Sequence, residues 1–342
     1  MARVSRAAYK WVARPDERGK SMVVLVTGGS GYVGSLLIRR LPFERGFEGE
    51  VIRVFDNMAS DKYFSLFDLP EGADYEFVLG DLTKAEDLRR AFVDVELVFD
   101  LAGITSVPLS FKMSEETKKV NVEGARNLLE VALSSGVKKV VYSSSAAVYG
   151  DVDGLVDESH PCKPASPYAE SKLLAEQVYL EAHRERGLDV VVLRFGTVYG
   201  FAPGIRFDTV VNRFAFLAAI GSPLTVWKGA ESALRPYLYV GDAVSALTLV
   251  ARRREASGSI FNVVTENAAL SDVIAAVKEA VPDCVVQYVE PPYQQQISYG
   301  LIDSKIRRLG YEPRGSLRLG AKEVVEKFKV FLHRRGRQEG AA

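Results

Sequence analysis

The sequence predicts a doubly wound α/β fold, a parallel sheet with helices on both faces, carrying a smaller C-terminal α/β cap. Three observations predict it. Short apolar runs alternate with amphipathic stretches as far as residue 194, the pattern of repeated βαβ units. The runs are apolar throughout rather than at every second position, as suits strands buried on both faces. The first run leads directly into a glycine-rich turn and then a helix.

That first strand, residues 22–27, runs into Gly28-Gly29-Ser30-Gly31-Tyr32-Val33-Gly34, and Leu36, Leu37, Ile38 and Leu41 follow at helical spacing. Gly28, Gly31 and Gly34 keep the spacing Gly-x-x-Gly-x-x-Gly. Without side chains they allow a tight turn, close approach to a pyrophosphate and close helix packing. The N–H groups at the helix start then face the phosphate charge. A plain βα turn is the minority alternative; with its flanking strand and helix the motif is of Rossmann type. The second strand, 51–56, ends in Asp56, about twenty residues beyond the last glycine, where an acid bonds the adenosine ribose hydroxyls. A carboxylate there repels a 2′-phosphate, and Asn57 and Met58 follow rather than an arginine, so NAD is favoured over NADP. A third strand, 77–82, ends in Asp81 and Leu82, the acid in reach of the adenine amine. A fourth, 97–103, closes on Leu101, Ala102 and Gly103, small enough for backbone to lie along the dinucleotide.

A long helix over 115–135 carries Val120, Leu128, Leu129, Val131 and Ala132, with Asn121 inside it. A buried asparagine needs partners; it either braces the strand ends near the cofactor or lies on the helix surface. The fifth strand, 139–142, opens into Ser143-Ser144-Ser145-Ala146-Ala147-Val148-Tyr149-Gly150. Hydroxyls at the carboxyl end of a parallel strand lie at the ligand edge, a bland serine-rich loop being the alternative. Ser166 then reads as an N-cap and Pro167 as the first residue of a helix. On it Tyr168 and Lys172, four residues apart, project from one face. An ammonium beside a phenol favours the phenolate and lowers the tyrosine pKa from its usual ~10, which would suit a general acid and base. Alone, Tyr-x-x-x-Lys equally fits an ordinary surface pair; the motifs before it change that. A sixth strand, 190–194, ends before Phe195.

Beyond it the pattern is less regular. Helices are expected over 207–220, 242–253 and 270–281, and strands over 224–227, 237–240 and 260–264, the last joining the large sheet. The resulting division is an extension (1–21), a dinucleotide-binding domain (22–196, with 242–265 returning to it) and a substrate-binding cap (197–241 and 266–335). The cleft between domain and cap is the expected ligand site.

Composition narrows the partners. Lys+Arg and Asp+Glu are both 44, so net charge gives no reason to expect nucleic acid or an anionic membrane. Two cysteines, Cys162 and Cys284, form neither a disulfide framework nor a metal spacing, which fits a reduced cytoplasmic compartment. His160, His183 and His333 are too scattered for zinc, and no metal is expected. No apolar run approaches the ~20 residues of a membrane span. Arg3, Arg6, Lys10, Arg14, Arg18 and Lys20 at the N-terminus read as a solvated or surface-docked extension in preference to an arm binding something acidic.

Taken together, Thr27–Gly34, Asp81-Leu82, Asn121-Val122-Glu123-Gly124, Ser143–Gly150 and Tyr168–Lys172 resemble the extended short-chain dehydrogenase/reductase family, in its NAD-dependent nucleotide-sugar epimerase/dehydratase branch. The resemblance covers residues 22 to about 329. It implies Tyr168 as acid/base, Lys172 on the nicotinamide ribose, Ser145 on the reacting sugar hydroxyl and Ser143 beside the nicotinamide. Tyr149 looks like a second aromatic close to the sugar. The family's 4,6-dehydratases carry Asp-Glu after a catalytic threonine; here Ser145 is followed by Ala146 and Ala147, which favours 4-epimerases. Thr197 stands where many epimerases have an asparagine on the diphosphate. Arg235 is the leading diphosphate contact, its fork matching phosphate oxygens; Arg206 and Asn212 are weaker candidates, equally a solvated arginine and a surface amide. Ser106 completes the substrate contacts. The expected protein is therefore a UDP-glucose 4-epimerase-like enzyme using NAD and a UDP-sugar. It would be a homodimer through a four-helix bundle of the two long helices. The alternatives are a keto-sugar reductase or dehydrogenase of the same superfamily and a non-catalytic dinucleotide sensor.

Overall fold

The computed structural model describes residues 21–290 and 298–332. The basic N-terminal stretch, and residues 291–297 and 333–335 of the expected cap, lie outside the described residues. The strands are β1 (Val23–Thr27), β2 (Val51–Asp56), β3 (Asp74–Leu79), β4 (Val95–Asp100), β5 (Lys139–Ser145), β6 (Asp153–Val156), β7 (Asp189–Phe195), β8 (Thr197–Tyr199), β9 (Leu224–Trp227), β10 (Leu234–Tyr239), β11 (Ser259–Val263), β12 (Glu266–Ala269), β13 (Val286–Val289) and β14 (Ser298–Leu301). Between them run α1 (Tyr32–Arg40), α2 (Ala85–Ala91), α3 (Val107–Lys112), α4 (Ser114–Lys118), α5 (Gly124–Ser135), α6 (Pro167–Arg186), α7 (Val210–Ile220), α8 (Val240–Ala251), α9 (Leu270–Ala280), α10 (Ser304–Arg307) and α11 (Leu317–Lys327).

Seven strands form one parallel sheet in the order β11-β7-β5-β4-β1-β2-β3. Successive side chains leave a strand on opposite faces, and both faces are apolar here. Val24 and Val26 join Leu37 and Ile38 of α1 and Val244 and Leu247 of α8. Val23 and Leu25 join Leu128 and Ala132 of α5 and Ala175 and Tyr179 of α6. The reversal of strand order between β1 and β4 opens the crevice in which such sheets bind ligands.

Helices α7, α9 and α11 share a separate core with β9 and β10, through Val211, Ala215, Val273, Val277, Ala321 and Val324. The C-terminal segment does not all belong to this cap, however. Strand β14 pairs with β6, and Ile306 and Tyr311 enter the core that covers β1. The span 266–335 is therefore not a single cap unit. The continuous helix expected over 115–135 is also interrupted. Residues Lys119–Glu123 form a π turn between α4 and α5, a single widened turn of the kind that often marks a functional position. Asn121 sits in it.

Candidate active site

The glycine-rich turn is shaped by contact with β4. Gly28 has φ +63°, and a Cβ there would stand 2.8 Å from Ala102 Cα. The backbone of β1 and of residues 101–103 therefore approach as only a missing side chain allows. Gly103 has φ +153°, with Asn121 Oδ1 2.7 Å from where its Cβ would be. Asn121 receives the Ile104 N–H at 2.9 Å and donates to the Ile104 carbonyl at 3.0 Å and to Ser171 Oγ at 2.9 Å. It is a buried brace between the end of β4 and helix α6, not a surface amide.

Asp56, at the end of β2, receives the Ser30 N–H at 3.1 Å and the Met58 N–H at 2.9 Å, and bonds the Ser30 hydroxyl. The acid thus stands against the glycine-rich turn. Asn57 is exposed and stabilises its own turn by accepting from Ala59 N–H at 3.0 Å. Asp81 accepts from Thr83 N–H and Oγ1, each at 2.9 Å, and Leu82 is buried beneath α5 against Gly124. Val33 stays half-buried at the start of α1, Leu101 half-buried after β4, and Phe195 buried at the end of β7. Tyr32 is buried and donates to the Gly200 carbonyl.

Ser145 and Tyr168 meet across the ends of β5 and α6. Ser166 caps α6 by accepting Ala169 N–H at 3.2 Å, which fixes the first turn that carries Tyr168. The Ser145 side chain lies close enough to the Tyr168 hydroxyl to favour its ionised form, and Ser145 Oγ receives Ala147 N–H at 3.2 Å. Lys172 is 3% exposed and donates to the Ser143 carbonyl at 2.8 Å, while Ser143 Oγ donates to the Asp100 carbonyl at 3.1 Å.

The expected effect of Lys172 on Tyr168 is corrected by this geometry. Both stand on one face of α6, but the Lys172 ammonium folds back over β5, 4.7 Å from the Tyr142 ring centre. Burial pushes the Tyr168 hydroxyl above its ordinary value; Ser145 and the Arg206 charge oppose that rise. Burial holds the Lys172 ammonium down at about 8, against the pull of Asp100 and Glu176.

The expected substrate contacts divide. Tyr149 is fully buried: its hydroxyl donates to Asn262 Oδ1 at 2.7 Å and accepts from Arg194 Nη1 at 3.0 Å. It has no surface to offer a sugar, which corrects its expected role. Asn212 is also fully buried, accepting Gly200 N–H at 2.9 Å and donating to Tyr32 Oη and the Arg206 carbonyl, each at 2.9 Å. It clamps the 200–206 loop onto α1 and is neither a ligand contact nor a surface amide. Arg206 pairs with Asp208, 2.9 Å from Nε to Oδ1, and donates to Thr105 Oγ1. Its charge acts on both Tyr168 and Tyr32. Ser106 is half-buried and caps α3 through Leu109 N–H at 3.4 Å; Thr197 is half-buried in β8, opposite Tyr237. Arg235, half-buried in β10, makes no side-chain hydrogen bond or ion pair among the described residues. Its charge acts on Tyr299, whose surroundings also include Tyr168 and Tyr149 and whose hydroxyl donates to the Ala146 carbonyl at 3.1 Å. Arg235 thus lies in the neighbourhood of Tyr299, in β10 of the cap.

Several residues around the site gave no sequence signal of their own. Glu176, four residues after Lys172, binds Arg194 through both carboxylate oxygens at 2.7 to 3.2 Å and accepts from Ser144 Oγ. Asp100 is bonded by Thr27 Oγ1 and by Tyr179 Oη. Their only advance notice was charge inside otherwise apolar stretches. Among the described residues no cluster of His, Cys, Asp or Glu could hold a metal, and no helix is long and apolar enough to cross a membrane.

A glycine cradle at the switch point of a parallel sheet, with a Tyr–Ser pair and a buried lysine beside it, defines a dinucleotide-dependent hydride-transfer site of the extended short-chain dehydrogenase/reductase class. The model of the NAD dependent epimerase/dehydratase family matches residues 24–263, and the chain belongs to that family. It is 31% identical over 326 residues to the mouse dTDP-D-glucose 4,6-dehydratase, covering 91% of this chain and 89% of that one. Among solved structures it is similar to the UDP-glucose 4-epimerase of Thermotoga maritima with UDP-glucose (30% identity, TM-score 0.80, 91% and 100% of the two chains). It is also similar to a dTDP-glucose 4,6-dehydratase of Streptomyces venezuelae with NAD bound (27%, 0.80, 92% and 98%). The residues fit the cofactor: without side chains at Gly28 and Gly103, the turn after β1 packs directly on residues 101–102 and Asn121, the close backbone packing from which a dinucleotide crevice is built.

Proposed function

We propose that the protein is an NAD-dependent nucleotide-sugar 4-epimerase acting on a UDP-sugar. One observation carries the choice within the family. Ser145 is followed by Ala146 and Ala147, so the positions directly after the serine carry no carboxylate. Removing water across C5 and C6 of a sugar requires a further acid and base beyond the tyrosine, and this wall offers methyl groups.

In this reading Tyr168 takes the proton from the sugar 4-hydroxyl as C4 is oxidised and gives it back as C4 is reduced. Ser145 holds the same oxygen through its own hydroxyl. NAD, when bound, supplies a reversible acceptor for the C4 hydride. Lys172, anchored on the Ser143 carbonyl, holds a positive charge at the ribose side of the site. Asp56 bonds the adenosine ribose, and Asp81 faces the adenine. Gly28, Gly31 and Gly34 let the pyrophosphate approach, beside Val33, Leu101, Ala102 and Gly103. Arg235 grips the substrate diphosphate from the cap while the keto-sugar turns over to present its other face. Thr197, Ser106 and Arg206 line the remaining path.

The experiment is incubation with a panel of UDP- and dTDP-sugars, without added NADH, read by NMR. The expected product is the C4 stereoisomer. A 4-keto-6-deoxy product assigns dehydration instead, the activity named for the mouse and Streptomyces relatives, and a requirement for stoichiometric NADH assigns a reductase. The exposed surfaces of α5 and α6 also support a homodimer, for which light scattering should give twice the mass of one chain; a single-chain mass opposes it.

A further inference from the structure

Two buried carboxylates act on Lys172, and they are not equivalent. Glu176 lies one turn along α6, but its charge is taken by Arg194, which holds both of its oxygens. Asp100, at the end of β4, is 2% exposed, its carboxylate bonded only by the Thr27 and Tyr179 hydroxyls among the described residues; burial pushes its pKa up, while those hydroxyls and the Lys172 charge favour the ionised form. The Tyr179 ring stacks on Tyr142, centre to centre 4.3 Å, and the Lys172 ammonium stands 4.7 Å from the centre of that same Tyr142 ring. The Tyr142 hydroxyl finds no partner among the described residues, so what the ring offers here is its face. A negative ring face attracts a cation. A charge in this dry stack interacts with another over a longer distance than in water.

We propose that Asp100 is the counter-ion of Lys172, a positioning residue that keeps the lysine cationic from behind the sheet edge without touching it. The two are further apart than a 4.0 Å ion pair, since none forms between them. Asp100 also fixes the crevice floor, because its carboxylate oxygens tie β1 through Thr27 to α6 through Tyr179. One carboxylate thereby couples the shape of the dinucleotide cradle to the charge of the lysine. The inference rests on the epimerase reading only in giving Lys172 a cofactor-side task.

The test follows the ionisation of Lys172 directly, by the ¹³Cε shift of labelled lysine in the cofactor-free protein, with the resonance assigned by its loss in Lys172→Met. The groups facing Lys172 are Asp100, Glu176, Tyr142 and the Ser143 carbonyl. In Asp100→Asn the midpoint should fall by about one unit or more, and the alkaline limb of the activity profile should move down with it. In Tyr179→Phe, which keeps the stack but removes a donor that favours the Asp100 charge, a smaller fall in the same direction is expected. An unchanged midpoint in Asp100→Asn overturns the proposal, even if activity drops, because that is a merely structural effect. A larger shift in Glu176→Gln than in Asp100→Asn also overturns it. Should the midpoint move as expected while no epimer forms on any substrate, the counter-ion stands and the reaction assignment falls.

Discussion

The two walls of the cleft are built on opposite plans. On the strand-end wall the polar side chains are held by one another: Asn121 by Ile104 and Ser171, Glu176 by Arg194, Asp100 by Thr27 and Tyr179. On the cap wall Arg235 is half-buried and has no such partner among the described residues, and Thr197 keeps part of its surface. Interlocked groups hold reacting atoms in one geometry; a loosely tethered cation can follow a substrate that turns. Under the proposed function, this difference separates chemistry from recognition by wall, so substitutions on the first should strike rate or stability, and on the second affinity.

The largest effect is expected from Tyr168→Phe. It removes the group proposed to exchange the sugar proton, and turnover should fall about 10²- to 10⁴-fold while NAD and nucleotide still bind by fluorescence titration; near-native turnover would remove Tyr168 from the mechanism. Arg194→Met comes next. It strands Glu176 as an unpaired charge that is 1% exposed, and loss of one partner of such a pair costs about 3–5 kcal/mol, visible as a lower urea midpoint. On the other wall, Arg235→Ala should raise KM for the nucleotide sugar roughly tenfold or more, with kcat and the urea midpoint unchanged. A fall in kcat with KM unchanged would break the division between the walls.

The smallest effect is electrostatic. Lys172 keeps its proton to about 8 in the folded protein, against 10.5 for the free side chain. Between those values the unfolded chain binds more protons, so the Lys172 contribution to stability rises with pH across that window. The difference in urea midpoint between native protein and Lys172→Met should therefore grow in favour of the native protein from pH 8 upward. Parallel profiles would mean that Lys172 is not held down by burial.

Much of this was legible in the sequence, for local reasons. Apolar runs with helical stretches between them specify a parallel sheet, and the Gly28 turn identifies which strand leads it. Ser145, Tyr168 and Lys172 could be recognised because their motifs are short and continuous. What was misread depends on burial. Tyr149 and Asn212 look like contact residues in sequence, yet both are fully enclosed with their polar atoms engaged. The influence of Lys172 on Tyr168 was inferred from a four-residue spacing, which fixes a shared face but not where a long flexible side chain puts its ammonium. Asp100 and Arg194 were passed over within apolar strands, because their partners lie 73 and 18 residues away in the chain. The return of Ile306 and Tyr311 to the first core is likewise a matter of tertiary packing with no local signature.

The central claim is that hydride leaves C4 and returns to C4 within one cleft. The most direct measurement uses a UDP-sugar deuterated at C4, incubated without added NADH and read by NMR and mass. The account predicts the inverted stereoisomer with its deuterium still at C4. Deuterium at C6 of a 4-keto-6-deoxy sugar, or deuterium released into reduced cofactor in proportion to product, would contradict it.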